Sequence, residues 1–140
     1  MVKSLIRIGI IGLSASVATV SLAHAQAIDD RLWGLRMIGV EQARQAGFTG
    51  AGVRIGVMDS GIQFDHPEFA DRWVDGFNVD GSPYGPAELH GTHVAGTVLG
   101  RNVGVAPGAL LYGINWAAAN NDAGFANGYY WGLQNGIRIF

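Results

Sequence analysis

Cysteine is absent from the chain, which excludes disulfides, thiolate metal centres and a cysteine nucleophile. Charge is also scarce. Asp, Glu, Lys and Arg make up 14% of the residues, well below the share of about a quarter in ordinary globular domains. No basic excess exists, since 11 acidic side chains face 9 basic ones and two of the basic ones, Lys3 and Arg7, sit near the N-terminus. A nucleic acid or an anionic membrane surface is therefore disfavoured as a partner. Serine is nearly missing from the body of the chain: after residue 25 only Ser60 and Ser82 remain. There is no internal repeat and no low-complexity tract.

Glycine and apolar residues are abundant. Glycine occurs 22 times in 140 residues and hydrophobic side chains account for 49%, enough for a buried core built with tight turns and close backbone contacts. The N-terminus begins with Lys3 and Arg7, continues through an apolar or small stretch from Ile8 to Leu22, and ends in Ala23-His24-Ala25. This is the pattern of a secretory signal peptide over residues 1–25, cleaved after Ala25. A membrane anchor is the competing reading, but the apolar run is short for a bilayer span of about 20 residues and is diluted by Gly and Ser. No stable membrane span is expected, and the protein is expected to be exported and to work as a secreted or cell-surface protein.

Residues 26–140 read as a single α/β unit. Ile38 to Ala46 is rich in helix formers and stops at Gly47. Residues 47–52 form a turn, and Val53 to Met58 is almost wholly apolar, as in a parallel strand buried on both faces. Asp59 then places a carboxylate at the carboxyl end of that strand, the edge where open α/β sheets build their sites. Residues 71–88 mix aromatic, acidic, Gly and Pro residues without a period and are expected to be irregular. Gly91 to Leu99 reads as a helix, Leu110 to Asn115 as a second strand, and Phe125 to Asn135 as an amphipathic helix whose aromatics, Tyr129, Tyr130 and Trp131, are expected mostly in the core. Ile137 to Phe140 opens a further apolar strand, so the domain is expected to be incomplete in this chain.

Two short blocks carry the chemistry. A hydroxyl nucleophile needs a base within hydrogen-bond reach, and the base needs an acceptor that fixes its tautomer. Asp59 at a strand end and His90 at a helix start are the candidates for acceptor and base. Asp59 alone could equally cap a helix or satisfy a loop. His90-x-x-His93 could suggest a metal site, but no Glu accompanies the pair at a zinc-protease spacing. Asp71, Asp75 and Asp80 read as solvating loop residues. The glycines at 47, 50 and 52 precede a strand rather than follow one, which argues against a nucleotide site.

Asp59-Ser60-Gly61-Ile62 with His66-Pro67 resembles the aspartate segment of the subtilisin-like serine proteases (subtilases, peptidase S8). His90-Gly91-Thr92-His93-Val94-Ala95-Gly96-Thr97 resembles their histidine segment. Gly104-Val105-Ala106-Pro107 and the strand near Leu110 are similar to the block that follows, and Trp33-Gly34-Leu35 through Gly50-Ala51-Gly52-Val53 is similar to the approach to the first core strand. The resemblance runs from about Leu32 to Phe140. It implies a three-layer α/β fold with a parallel sheet, here truncated, and a secreted serine endopeptidase acting on polypeptide substrates. It makes Asp59 the catalytic aspartate, His90 the general base and His93 structural.

The departures from the family pattern are equally specific. The nucleophile block, the oxyanion Asn and the substrate-pairing strand come later in the family than this chain reaches, and neither Ser60 nor Ser82 can replace the nucleophile. The 140-residue chain is therefore expected to be inactive on its own, and the alternative reading is a catalytically inactive secreted α/β fragment or binding module. The catalytic blocks begin soon after the leader, which resembles the passenger domains of autotransporters; a C-terminal translocator would lie outside this chain. No cofactor is required by the motifs. Calcium binds in many family members, but the loop that supplies the tight site looks shortened here, and Glu68 alone, at a calcium-ligating position of the family, does not make a site.

Overall fold

The computed structural model describes residues 30–140; the predicted signal peptide, residues 1–25, lies outside the described residues. Two short helices open the fold, α1 (Trp33–Met37) and α2 (Val40–Gln45). The sequence predicts one helix over 38–46, but the chain breaks at Gly39, which adopts φ +74 before α2 begins. Such a conformation is open to glycine and strained for other residues. Three strands follow with two longer helices between and after them: β1 (Arg54–Asp59), β2 (Trp73–Asn78), α3 (Leu89–Leu99), β3 (Leu110–Asn115) and α4 (Asp122–Gln134). Among the described residues no helix is long and apolar enough to cross a membrane.

The sheet is parallel throughout, in the order β1-β3-β2. β1 and β3 were legible as buried apolar runs. β2 corrects the expectation of an irregular stretch over 71–88. Asp75 and Gly76, both poor strand formers, interrupt its pattern, and the pairing with β3 slips between Trp73 and Asp75. The terminal apolar run makes one parallel bridge, Ile55 to Ile139, with Gly56 N–H donating to the Ile139 carbonyl at 2.9 Å.

Strand alternation assigns the two helices to opposite faces. Ile55, Val57 and Leu111 pack with Ala95 and Leu99 of α3 and with Ile62, Phe69 and Ala109 in the main core. The residues between them face the other way: a Cβ on Gly128 of α4 would meet Ile114, Val79 and Met58, and Trp131 lies at ring-contact distance from both Phe77 and Tyr112. The result is helix, sheet, helix, three layers in all. Asp59 follows Val57 by two residues, so the period of the strand turns it toward the α3 face. Asn115 and Asn78 stand in register with it across the sheet, giving a row of three polar residues along the carboxyl edge.

The expectation that the α4 aromatics form core holds only in part. The face of α4 against the sheet consists of Gly124, Gly128 and Gly132, spaced four apart and all buried, while Tyr129 and Tyr130 are exposed. Helix backbone approaches the sheet directly at these glycines, and Trp131 packs beside them on Phe77 and Tyr112.

Candidate active site

The site forms where the end of β1 meets the first turn of α3. Two hydrogen bonds join the segments on either side of His90: Glu88 N–H donates to the Gly61 carbonyl at 2.7 Å, and Gly91 N–H donates to Ser60 Oγ at 3.0 Å. The approach is close enough to demand glycine. A Cβ on Gly91 would lie 2.4 Å from the Ser60 carbonyl oxygen, and one on Gly61 would lie 1.7 Å from the Pro86 carbonyl oxygen. His90 is thus held one helical residue from an immovable contact.

His90 Nδ1 lies 2.7 Å from Asp59 Oδ1, within the range of charge-assisted bonds. The Asp59 side chain is 17% exposed and that of His90 is 78% exposed. Burial pushes the Asp59 carboxyl up, but the hydrogen bond from His90, the Ser60 backbone N–H at 2.7 Å and the charge attraction to His90 together hold it below its ordinary value. An ionised carboxylate only accepts hydrogen bonds. The shared proton therefore sits on Nδ1, which leaves the Nε2 lone pair for a proton arriving from solvent or substrate. Among the described residues Nε2 has no hydrogen-bond partner.

The structure brings together the two residues the sequence singled out, Asp59 and His90, and His93 makes no hydrogen bond to either. His93 is exposed one turn along α3, and its carbonyl accepts from Thr97 Oγ1 at 3.1 Å. Both serines of the described chain are committed elsewhere. Ser60 Oγ donates to Asp59 Oδ1 at 3.2 Å and accepts from Gly91, while Ser82 Oγ donates to Asp80 Oδ1 at 2.7 Å and accepts from Asn78 Nδ2 at 2.9 Å. Neither is hydrogen-bonded to the His90 ring. Ser60, which the sequence excludes as the nucleophile, ties the Asp59 carboxylate to the first turn of α3. Its position directly after the strand-end Asp was the available signal.

Glu68 does not sit in a cation cage. Its two carboxylate oxygens accept from Asn102, one from N–H and one from Nδ2, at 2.8 Å each. Burial raises its carboxyl, and the Asn102 bonds more than offset this, leaving it below the ordinary carboxylate range. Calcium takes six to eight oxygens, and among the described residues no three acidic, His or Cys side chains group together. The residues present do not fit that ion, and Glu68 instead closes the short loop after α3.

Comparison with known proteins shows the family of the chain. The Subtilase family profile matches residues 50–140. Alkaline elastase YaB from Bacillus sp. (strain YaB) is 37% identical, with 76% of this chain and 30% of that protein aligned. Subtilisin E from Bacillus subtilis (strain 168) is 32% identical at the same coverage. Subtilisin Savinase from Lederbergia lenta is 35% identical, with 76% of this chain and 42% of that protein aligned. The crystal structure of a cold adapted subtilisin-like serine proteinase superposes with a TM-score of 0.56 at 34% identity, covering 63% of this chain and 34% of that one. The chain spans 30% to 42% of the length of these curated relatives. Motif order, strand-end carboxylate, helix-start imidazole and family match converge: this chain belongs to the subtilase family and carries part of the subtilisin-like α/β fold.

Proposed function

We propose that the chain supplies the acid-base half of an exported serine endopeptidase. The observation that carries this reading is the 2.7 Å contact between His90 Nδ1 and the depressed carboxylate of Asp59, with Nε2 open. Asp59 orients the ring and stabilises the imidazolium that forms. His90 Nε2 removes the proton of a serine hydroxyl as its oxygen attacks a peptide carbonyl carbon, then returns that proton to the leaving amine; water hydrolyses the resulting acyl-enzyme by the same route. The serine and the oxyanion donor belong to sequence outside these residues, because both hydroxyls near the site serve the scaffold. Export is supported by the leader-like residues 1–25, and polypeptides are the substrate class that family membership favours.

By itself the 140-residue chain hydrolyses nothing on this account. The direct experiment is labelling of the full-length gene product with a fluorophosphonate, alongside hydrolysis of a denatured protein. Wild type is expected to label and to cleave. His90→Ala is expected to do neither, and Asp59→Asn to lose on the order of 10⁴-fold in kcat. Cleavage that survives His90→Ala would refute the assignment.

A further inference from the structure

The turn that follows β1 carries the clamp between Asp59 and His90, and it is held from two directions. Toward the helix, the Gly61 carbonyl accepts from Glu88 N–H at 2.7 Å, Ser60 Oγ accepts from Gly91 N–H at 3.0 Å, and Gln63 N–H donates to Thr92 Oγ1 at 2.9 Å. Toward the sheet, Ile62 N–H donates to Tyr84 Oη at 2.9 Å. Ile62 is 1% exposed, and a backbone donor in so buried a residue needs an acceptor from the protein. Tyr84 supplies it.

The phenol is placed by the sheet itself. Gly76 of β2 and Gly113 of β3 stand side by side in register and leave a floor without side chains. A Cβ on Gly113 would lie 2.3 Å from Tyr84 Oη, and one on Gly76 would lie 2.6 Å from Tyr84 Cγ. Trp73 flanks the ring with centroids 5.2 Å apart, and Phe64 flanks Trp73 at 5.7 Å. The backbone around Tyr84 is pinned as well. Asn78 Nδ2 faces Ser82 Oγ and the Pro83 and Gly85 carbonyls at 2.9, 2.9 and 2.8 Å, and Asn115 Nδ2 donates to the Gly85 carbonyl at 3.0 Å. Both asparagines end their strands in register with Asp59. The polar row at the carboxyl edge therefore divides its work: Asp59 takes the His90 ring, and the asparagines hold the segment that delivers the phenol. Burial pushes the Tyr84 hydroxyl up to about 12, so it stays neutral over the whole range in which an imidazole titrates.

We propose that Tyr84 is a positioning residue for the acid-base pair: its phenol oxygen, seated on the glycine floor, anchors Ile62 N–H to the sheet and so fixes the turn between Asp59 and α3. Without that oxygen the turn hangs on α3 alone, and the strand-borne carboxylate and helix-borne imidazole lose their common reference. The inference rests on the peptidase reading for its kinetic consequence, and on the hydrogen bonds alone for its effect on the His90 ring.

The test is Tyr84→Phe in the full-length gene product, which removes the oxygen and keeps the ring. Amide hydrogen exchange at Ile62 is expected to quicken by about ten-fold or more. In ¹⁵N NMR at alkaline pH, the preference of the His90 proton for Nδ1 is expected to weaken. In peptide hydrolysis, kcat is expected to fall by about 10- to 100-fold while KM stays within about two-fold, because what is lost is geometry at the reacting centre rather than substrate binding. Gly128→Ala, which loads the opposite face of the sheet, is the control for destabilisation alone and is expected to keep the wild-type ring signal and kcat. Unchanged exchange at Ile62 would remove the anchor from the account. Faster exchange with an unaltered His90 ring, or with an unaltered kcat in an active enzyme, would make Tyr84 a scaffold residue only and overturn the proposal. A wild type that cleaves no peptide, but whose His90 ring responds to Tyr84→Phe, would uphold the positioning role and defeat the peptidase reading, so the two failures are distinguishable.

Discussion

The two faces of the sheet are packed by different means. On the α3 face, side chains do the filling: Ile62, Phe69, Leu99 and Leu111 are all essentially inaccessible, and the candidate site stands at the edge of this layer. On the α4 face, backbone does the filling, through Gly124, Gly128 and Gly132, while the helix turns Tyr129, Tyr130 and Phe125 outward. A layer made of interlocked side chains fixes the height of α3 above β1 and, with it, the 2.7 Å contact of His90 with Asp59. A layer made of glycine contacts brings α4 close while Phe125, Tyr129 and Tyr130 stay exposed, and Trp131 stacks its ring on Phe77 of the sheet. The precise geometry of the site belongs to the first kind of packing.

The largest expected effect breaks the comparison at its core. Leu99→Ala empties the α3 layer and is expected to cost about 2 to 5 kcal/mol, whereas Leu133→Ala on the partly exposed side of α4 is expected to cost less than about 1 kcal/mol. Denaturant unfolding of both variants measures the difference. Equal losses would mean that the α3 face is not the side-chain core described above.

Glycine substitutions sharpen the contrast with a change of sign. A Cβ on Gly128 would sit 2.7 Å from Ile114 Cγ2, whereas one on Gly96 of α3 would find nothing closer than Val103 Cγ2 at 3.9 Å. Gly128→Ala is therefore expected to destabilise by about 1 to 2 kcal/mol, overpacking outweighing the helix-propensity gain. Gly96→Ala is expected to stabilise by up to about 1 kcal/mol, because only the propensity term remains. Thermal unfolding midpoints moving in opposite directions would be the confirming result.

The smallest effect is in acid. Asp59 and Glu68, both on the α3 side, have carboxyls held below their ordinary values in the folded protein. A depressed folded pKa contributes stability that is complete above the unfolded value, about 4, and is lost as pH falls through the folded value. Unfolding free energy is expected to decline as the pH drops below about 4, and less steeply in Asp59→Asn with Glu68→Gln. An unchanged acid slope in the double variant would remove these two carboxylates from the account.

Much of the fold is legible in the sequence. Val53 to Met58 and Leu110 to Asn115 are apolar runs too dense to be anything but buried strands, and both lie where expected to within a residue. β2 was not legible, because an edge strand half in solvent can tolerate Asp75 and Gly76, and a bulge at Trp73 to Asp75 hides its period. The glycine face of α4 was hidden for a related reason: apolar periodicity detects buried side chains and is blind to a helix buried by its backbone. At the site, Asp59 and His90 could be named from the two blocks alone. For Ser60 only its place directly after Asp59 was a signal, since the tie it makes depends on how closely the end of β1 approaches the first turn of α3.

The central claim is that Asp59 fixes His90 as a base with its proton on Nδ1. The most direct measurement is ¹⁵N NMR of the His90 ring nitrogens at alkaline pH, in wild type and in Asp59→Asn. The account predicts a protonated Nδ1 and an unprotonated Nε2 in wild type, with that preference lost when the carboxylate is replaced. A wild-type ring carrying its proton on Nε2, or one indifferent to the substitution, would contradict it.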